Sequence, residues 1–186
     1  MTLIREVQWV LVRGGTCRYG DEGRPTGVSD LLWTKTPVTS GDVGGSGDPR
    51  LPVITVNHAE ARVIAERLGG RLPKSPEWEW MAAGPERRRF PWGADAWSPR
   101  LANLRGSGLH RPVPVGTHPA GATPDGMLDV AGNVWEWTAT SVMGEGFIVR
   151  GGSFAALPVY AQCTFLNAVP AELRSPGIGL RVVRDP

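Results

Sequence analysis

Glycine and proline are the residues that most constrain the fold of this chain. The 186 residues include 25 Gly and 17 Pro, spread along the sequence without a repeating period. Both residue types interrupt helices and strands instead of extending them. The length suits one domain covering residues 1–186, and 41% apolar residues are enough to build a core. The sequence therefore predicts a loop-rich domain with short regular elements.

The charge composition argues against nucleic acid as a partner. The formal net charge is +2, and the basic residues are scattered apart from the triplet at 87–89. Such a triplet is more typical of a solvated loop than of a phosphate-binding site. Lys35 and Lys74 are the only lysines among 20 basic residues. This preference for arginine suggests a thermophilic or GC-rich source.

The cysteines and the first residues bear on the cellular compartment. Cys17 and Cys163 are the two cysteines, and the sequence leaves open whether they form a disulfide. The segment from Met1 to Arg18 has no apolar run long enough for a signal peptide or a membrane span. We therefore expect no membrane segment and, by default, a cytoplasmic protein.

Two helices are predicted in the first half of the chain. Asn57 with Glu60 three residues later is typical of a capping box, and apolar residues then recur at helical spacing up to Leu68. Gly69 and Gly70 are expected to end this helix. Ser75 followed by Pro76 indicates the start of a second helix. Its expected buried face consists of Trp78, Met81 and Ala82.

Short apolar segments predict the strands. We expect strands at 7–12, 31–33, 147–150 and 178–183, with a turn region at 21–27. Two helices in the first half, followed by loops and short strands, favour an α+β fold with small antiparallel sheets.

Several motifs occur in an order that points to one family. They are GGT at 14–16, KTPVTS at 35–40, GGRLPKSPEWEWMAAG at 69–84, FPWG at 90–93, DGMLDVAGNVWEWT at 125–138, VRGGSF at 149–154 and GIGLRVV at 177–183. In this combination the chain resembles the sulfatase-modifying-factor family of formylglycine-generating enzymes. The resemblance implies a variant of the C-type lectin-like fold, with two helices, small antiparallel sheets and many loops.

A calcium site is expected at the loop DVAGNVWE. Asp129 and Glu136 flank this loop, and hard oxygen ligands of this kind suit Ca²⁺. The resemblance implies that the carbonyls of Gly132 and Val134 complete the set. Alternatively, the two carboxylates accept backbone N–H groups and hold the loop without a metal.

The cysteine pair that makes the family an oxidase is missing. The resemblance places that copper-binding pair shortly after the RGGS segment, at positions that are Ala156 and Ala161 here. Cys163 lies nearby but alone, so we expect no copper and no enzyme activity. His58, His110 and His118 form no catalytic motif by spacing. Related iron-dependent sulfoxide synthases take their His ligands mainly from an additional helical domain.

The segment 155–177 is expected to be a ligand-binding surface. It combines apolar residues with few charges, which is typical of an interaction site, although core packing is an alternative. The arrangement also resembles the variable proteins of diversity-generating retroelements. Adenine mutagenesis of AAC-type codons cannot yield Lys, Glu, Gln, Met or Trp, and only Gln162 and Glu172 belong to that set in this segment. We expect these ligand-binding positions: Ala155, Ala156, Leu157, Val159, Tyr160, Thr164, Phe165 and Asn167.

Two main hypotheses follow from the sequence. The first is a non-catalytic variable protein that presents a diversified surface to an unknown protein or other macromolecular ligand. The alternative is a formylglycine-generating-type oxidoreductase or a diverged enzyme of that family. A structural or regulatory protein without catalysis is a third possibility.

Overall fold

The computed structural model describes residues 6–186; residues 1–5, where the segment examined for a signal peptide begins, lie outside the described residues. The strands are β1 (Trp9–Val12), β2 (Gly15–Tyr19), β3 (Arg24–Val28), β4 (Leu31–Thr34), β5 (Trp135–Ser141), β6 (Gly146–Arg150), β7 (Leu166–Pro170), β8 (Ile178–Leu180) and β9 (Val183–Arg184). The helices are α1 (His58–Arg67) and α2 (Ser75–Ala83). No helix in this part of the chain has the length and apolar character needed to cross a membrane.

Both predicted helices are present. The carboxamide of Asn57 accepts from the N–H of Glu60, and the carboxylate of Glu60 accepts from the N–H of Asn57. This reciprocal capping box begins α1, and Gly69 follows its end with φ of +79°, a conformation in which a side chain would be strained. In α2 the predicted face of Trp78, Met81 and Ala82 is buried.

Within residues 6–186, the strands form three small sheets. Their orders are β1-β4-β9, β2-β3 and β7-β6-β5-β8. The prediction of antiparallel sheets holds for most pairs, but β5 and β8 pair in parallel. A parallel pair needs a long connection between its strands, and here the connection includes β6, β7 and the segment 155–177.

The strands differ from the sequence prediction, which contains no counterpart of β2, β5 or β7. The first strand begins at Trp9, two residues later than expected. The expected turn region at 21–27 includes the start of β3, which pairs with β2 as a hairpin. The expected strand at 178–183 is split between β8 and β9. The split occurs at Arg181, whose side chain is fully buried and bonded to three backbone carbonyls.

The core consists of two large apolar clusters and one small one. Trp33 and Trp78 anchor the first cluster, and Trp137 anchors the second. The small cluster is built from short side chains: Ala102, Leu104, Ala131, Ala156 and Ala161, with Trp92, Trp97 and Trp135 packed against it. Ala156, a member of this small cluster, also lines the candidate site described below.

Candidate functional site

An open cavity of about 470 Å³ lies where the ends of several elements meet. Trp135 is the first residue of β5, Asn167 belongs to β7, and Tyr160 lies in a short 3-10 turn. The loop after β6 supplies the backbone between them. The lining residues are Trp135, Ser153, Ala155, Ala156, Tyr160, Phe165 and Asn167.

Five of the eight predicted ligand-binding residues line this cavity: Ala155, Ala156, Tyr160, Phe165 and Asn167. The other three do not. Val159 lines a neighbouring groove together with Phe90 and Trp97. Leu157 is exposed outside the cavity. Thr164 is half-buried, and its backbone carbonyl accepts a long hydrogen bond from Arg150.

Ala156 corrects the expectation that all eight positions are surface residues. Only 7% of this residue is exposed, and it belongs to the small apolar cluster. Its N–H donates to the carbonyl of Ser153, and its carbonyl accepts from the N–H of Arg105. Ala156 therefore forms the floor of the cavity and has little surface to offer a large ligand.

Sequence reasoning missed Trp135 and Ser153 as cavity residues. Both lie in motifs that carry the family resemblance, GNVWEW and RGGS, and a motif of this kind does not by itself separate cavity residues from core residues. Trp135 is only partly buried, unlike Trp137 two residues later, which is fully buried. Its role in the cavity is indicated by its position, because Trp135 begins β5 at the end of the sheet nearest the loop after β6.

The two positions that match the family's cysteine pair lie close together, and one of them, Ala156, lines the cavity. The Cβ atoms of Ala156 and Ala161 each lie 3.4 Å from the position that a Cβ on Gly152 would occupy. Two thiols at these positions would therefore be close neighbours. Two methyl groups cannot bind copper, so the residues present do not fit the family's copper site.

Cys163 does not replace the missing pair. Its side chain is buried, and burial raises the pKa of its thiol to about 12. Burial likewise raises the pKa of Cys17 to about 11. The thiolate is the form that binds metals and attacks electrophiles. Both cysteines are free and held in the thiol form near neutral pH.

The groups predicted to bind calcium accept hydrogen bonds from other protein groups. Glu136 is fully buried, and its carboxylate accepts from Trp78 at 2.7 Å and from Arg181 at 3.0–3.2 Å. The carbonyl of Gly132 accepts from the N–H of Val134 at 2.9 Å. A cation cannot take the position that the guanidinium already holds. As placed here, these residues do not fit a calcium ion.

Asp129 matches the alternative in which a carboxylate holds the loop. Its carboxylate accepts from the N–H of Gly116 at 2.6 Å. Burial raises the pKa of this carboxyl, and the hydrogen bond from Gly116 opposes that effect. Asp129 has φ of +53°, a left-handed conformation that is uncommon outside glycine. The residue therefore shapes the loop between Met127 and β5.

The histidines do not assemble a metal centre. His58 is buried, with its ring stacked on Phe147 and its Nε2 atom 2.9 Å from the carbonyl of Thr138. Burial lowers the pKa of His58. In residues 6–186, no group of three or more His, Cys, Asp or Glu side chains is placed to hold a metal ion.

Comparison with known proteins decides the family. The model of the sulfatase-modifying factor enzyme 1-like domain matches residues 34–186. The chain belongs to this family. The expected resemblance is thereby confirmed.

The curated relatives of this family member include enzymes. Hercynine oxygenase of Mycolicibacterium thermoresistibile is 47% identical over 164 residues, which take in 74% of this chain and 36% of that protein. Hercynine oxygenase of Mycobacterium tuberculosis is 35% identical over 157 residues, with 72% of this chain and 37% of that protein covered. The chain thus spans about a third of the length of these relatives.

The expectation that this chain is not an enzyme is therefore wrong. It rested on the loss of the thiol pair at Ala156 and Ala161. That loss removes the ligands of one metal, but relatives named as oxygenases show that the family is not restricted to formylglycine formation. The absence of one cofactor's ligands does not indicate the absence of catalysis.

The resemblance to variable proteins is confirmed for the fold. Treponema denticola variable protein 1 superposes with a TM-score of 0.85, covering 100% of this chain and 98% of that chain. Its sequence identity is 18%, so the likeness concerns the fold alone. A C-type lectin-like α+β fold is thereby confirmed. Diversification of the segment 155–177 stays a prediction.

Proposed function

We propose that this family member forms the substrate-binding part of an oxygenase of the hercynine oxygenase kind. The observation that carries the proposal is the position of the cavity. Ala156 lines it, and Ala161 packs with Ala156 in the small apolar cluster; these are the positions where the resemblance to formylglycine-generating enzymes places the reactive thiols. The oxygenase relatives add sequence identity of up to 47%.

The side chains of this cavity suit binding and orientation of a small molecule. Its volume of about 470 Å³ falls in the range of small-molecule sites. Trp135 and Phe165 give one part of the wall an apolar surface, whereas the polar side chains of Ser153 and Asn167 can form hydrogen bonds with a ligand. These residues can hold a substrate in one orientation, which is a large part of what an active site contributes.

The described residues do not fit an oxygen-activating metal, because they bring no group of three metal ligands together. In this proposal, the oxygen-activating metal is held by residues other than 6–186. The partial coverage of the relatives, at 33–37% of their length, is in keeping with such a division of roles. Formylglycine-type copper chemistry is disfavoured because Ala156 and Ala161 offer no thiolate.

A domain exchange tests this function. The matching segment of the Mycolicibacterium thermoresistibile hercynine oxygenase is replaced by this chain, and hercynine-dependent oxygen consumption is measured. We expect the chimera to consume oxygen, and we expect a chimera carrying Trp135→Ala to be at least about tenfold slower, because the substrate loses part of its wall.

Two controls give the upper and lower limits of oxygen consumption. The parent enzyme gives full activity, and the parent without the exchanged segment gives the background. A folded chimera that consumes oxygen no faster than the truncated parent would contradict the proposal. The fold of each chimera is checked by circular dichroism and by a cooperative thermal transition.

A further inference from the structure

A smaller cavity of about 140 Å³ adjoins the candidate site, and Ala155 lines both. Most of its wall is a basic loop at 104–110, which includes Arg105 and His110. Among residues 6–186, neither Asp nor Glu lines this smaller cavity. The loop belongs to a stretch at 96–124 that contains three Arg and two His but no acidic residue. An anionic group placed here therefore meets positive charge and no opposing carboxylate on the wall.

Two hydrogen bonds fix the position of Arg105. Its backbone N–H donates to the carbonyl of Ala156 at 2.9 Å, and its Nε–H donates to the carbonyl of Ala155 at 2.9 Å. In the part of the chain that the structure describes, Arg105 forms no ion pair. The two terminal NH₂ groups of its guanidinium are thus available for the paired hydrogen bonds that this group forms with an oxyanion.

The loop that follows offers backbone donors in a fixed arrangement. The hydroxyl of Ser107 donates to the side-chain oxygen of Asn103 at 2.9 Å and accepts from the N–H of Leu109 at 3.2 Å. Gly106 and Gly108 both have positive φ, +99° and +82°. Among residues 6–186, the N–H groups of these two glycines have no protein acceptor. Backbone N–H groups in tight turns form concavities that bind anions.

A phosphate group suits these donors better than a carboxylate does. A phosphate monoester has three acceptor oxygens and a charge of about −1.5 to −2 near pH 7, whereas a carboxylate has two oxygens and a single charge. The cavity wall offers one guanidinium, one imidazole and the N–H groups of Gly106 and Gly108. We propose that this smaller cavity binds the phosphate group of a small ligand, with Arg105 as its cationic partner. The inference goes beyond the proposed oxygenase function and does not depend on it.

Anion titrations test the inference on this chain alone. The ¹⁵N-labelled protein is titrated with monomethyl phosphate or with acetate, each in exchange for chloride at constant ionic strength, and the amide signals are followed by NMR. We expect monomethyl phosphate to cause saturable shifts of the Gly106 and Gly108 signals. Acetate should bind at least about threefold more weakly, because it brings fewer acceptor oxygens and less charge.

Variants assign the binding to the loop. Arg105→Gln removes the cationic partner and should weaken binding of monomethyl phosphate at least about fivefold. Arg100→Gln is the matched control, because Arg100 is exposed in the same acid-free stretch, does not line the cavity and gives the same change in net charge. Its affinity should stay within about twofold of the wild-type value. His110→Asn is the second test, since Asn tolerates the φ of +53° at this position, and it should weaken binding about twofold to threefold.

Three outcomes would overturn the inference: no saturable shift with monomethyl phosphate, acetate binding as tight as phosphate binding, or equal losses in Arg105→Gln and Arg100→Gln. Equal losses would show an effect of net charge without a site. If Arg105→Gln does not fold, wild-type affinity in folded His110→Asn would overturn the inference in its place. These measurements involve no turnover, so the oxygenase function stands or falls separately with the domain exchange.

Discussion

Glu136 and Glu79 each lie in the core with an arginine as partner. Glu136 pairs with Arg181 at 3.0 Å, and Glu79 pairs with Arg150 at 2.6 Å. Trp78 links the two pairs, since its Nε1–H donates to Glu136 and the Arg150 guanidinium lies 5.1 Å from the centroid of its ring. Removing one member of a buried pair leaves an uncompensated charge, which is far costlier than removing both.

Arg181→Leu is expected to lower the free energy of unfolding by about 3–5 kcal/mol, because Glu136 is left as an unpaired buried carboxylate. Urea denaturation followed by tryptophan fluorescence measures the change. The double variant Glu136→Gln with Arg181→Leu should lose less stability than the sum of the two single variants. Full additivity would show that the two side chains do not interact.

The buried thiol of Cys163 should make stability fall at high pH. Its pKa is near 9.0 when exposed and about 12 in the fold, so the unfolded chain releases this proton first as the pH rises. The contribution of this thiol to the free energy of unfolding is complete below pH 9. It is lost as the pH rises toward 12, at up to about 1.4 kcal/mol per pH unit. Cys163→Ala should lose less stability than the wild-type protein between pH 8 and pH 10.5, as measured by urea denaturation. An identical loss in the two proteins would contradict this assignment.

The start of helix α1 can be predicted from the sequence alone. Asn57 and Glu60 predict the start of the helix from local chemistry alone, and the capping box is present. The strands are less predictable because their limits depend on partners distant in sequence. Arg24 begins a strand inside a region of turn residues because β2 lies beside it. The parallel pairing of β5 with β8 likewise depends on the path of the intervening chain.

Asn57→Ala should lower the free energy of unfolding by about 1 kcal/mol, since the N–H of Glu60 loses its acceptor. Thermal denaturation followed by circular dichroism measures the effect. Arg62→Ala is the control on the same helix, because Arg62 is solvent-exposed and its pair with Glu66 spans 3.8 Å. The prediction fails if both variants melt at the same temperature.

On the scale of the whole molecule, the sequence predicts the scaffold better than the site. Two of the motifs are joined by a buried ion pair, since Glu136 of GNVWEW meets Arg181 of GIGLRVV. The cavity depends on which side chains remain unburied after packing, and this is decided by distant segments. Trp135 and Trp137 occur in one motif, but Trp137 is fully buried while Trp135 is left to line the cavity.

Substitutions on the segment 155–177 should separate surface from floor. Combined Leu157→Ser and Val159→Ser should leave the melting temperature within a few degrees, because both side chains are exposed. Ala161→Leu should cost about 1–3 kcal/mol, because Ala161 is buried in the small apolar cluster and does not line the cavity, so the larger side chain must displace its neighbours. Differential scanning calorimetry measures both. A large loss in the double serine variant, or none in Ala161→Leu, would reverse the assignment of these positions.

The placement of β8 and β9 has a consequence for synthesis of the protein. β8 completes the sheet that contains β5, β9 completes the sheet that contains β4, and Arg181 between them binds the carbonyls of Thr34, Lys35 and Leu128. Residues 178–184 follow all of these partners in the chain. A nascent chain on the ribosome therefore cannot close either sheet until this segment has left the exit tunnel, so a stalled translation product would present both open sheet edges to chaperones.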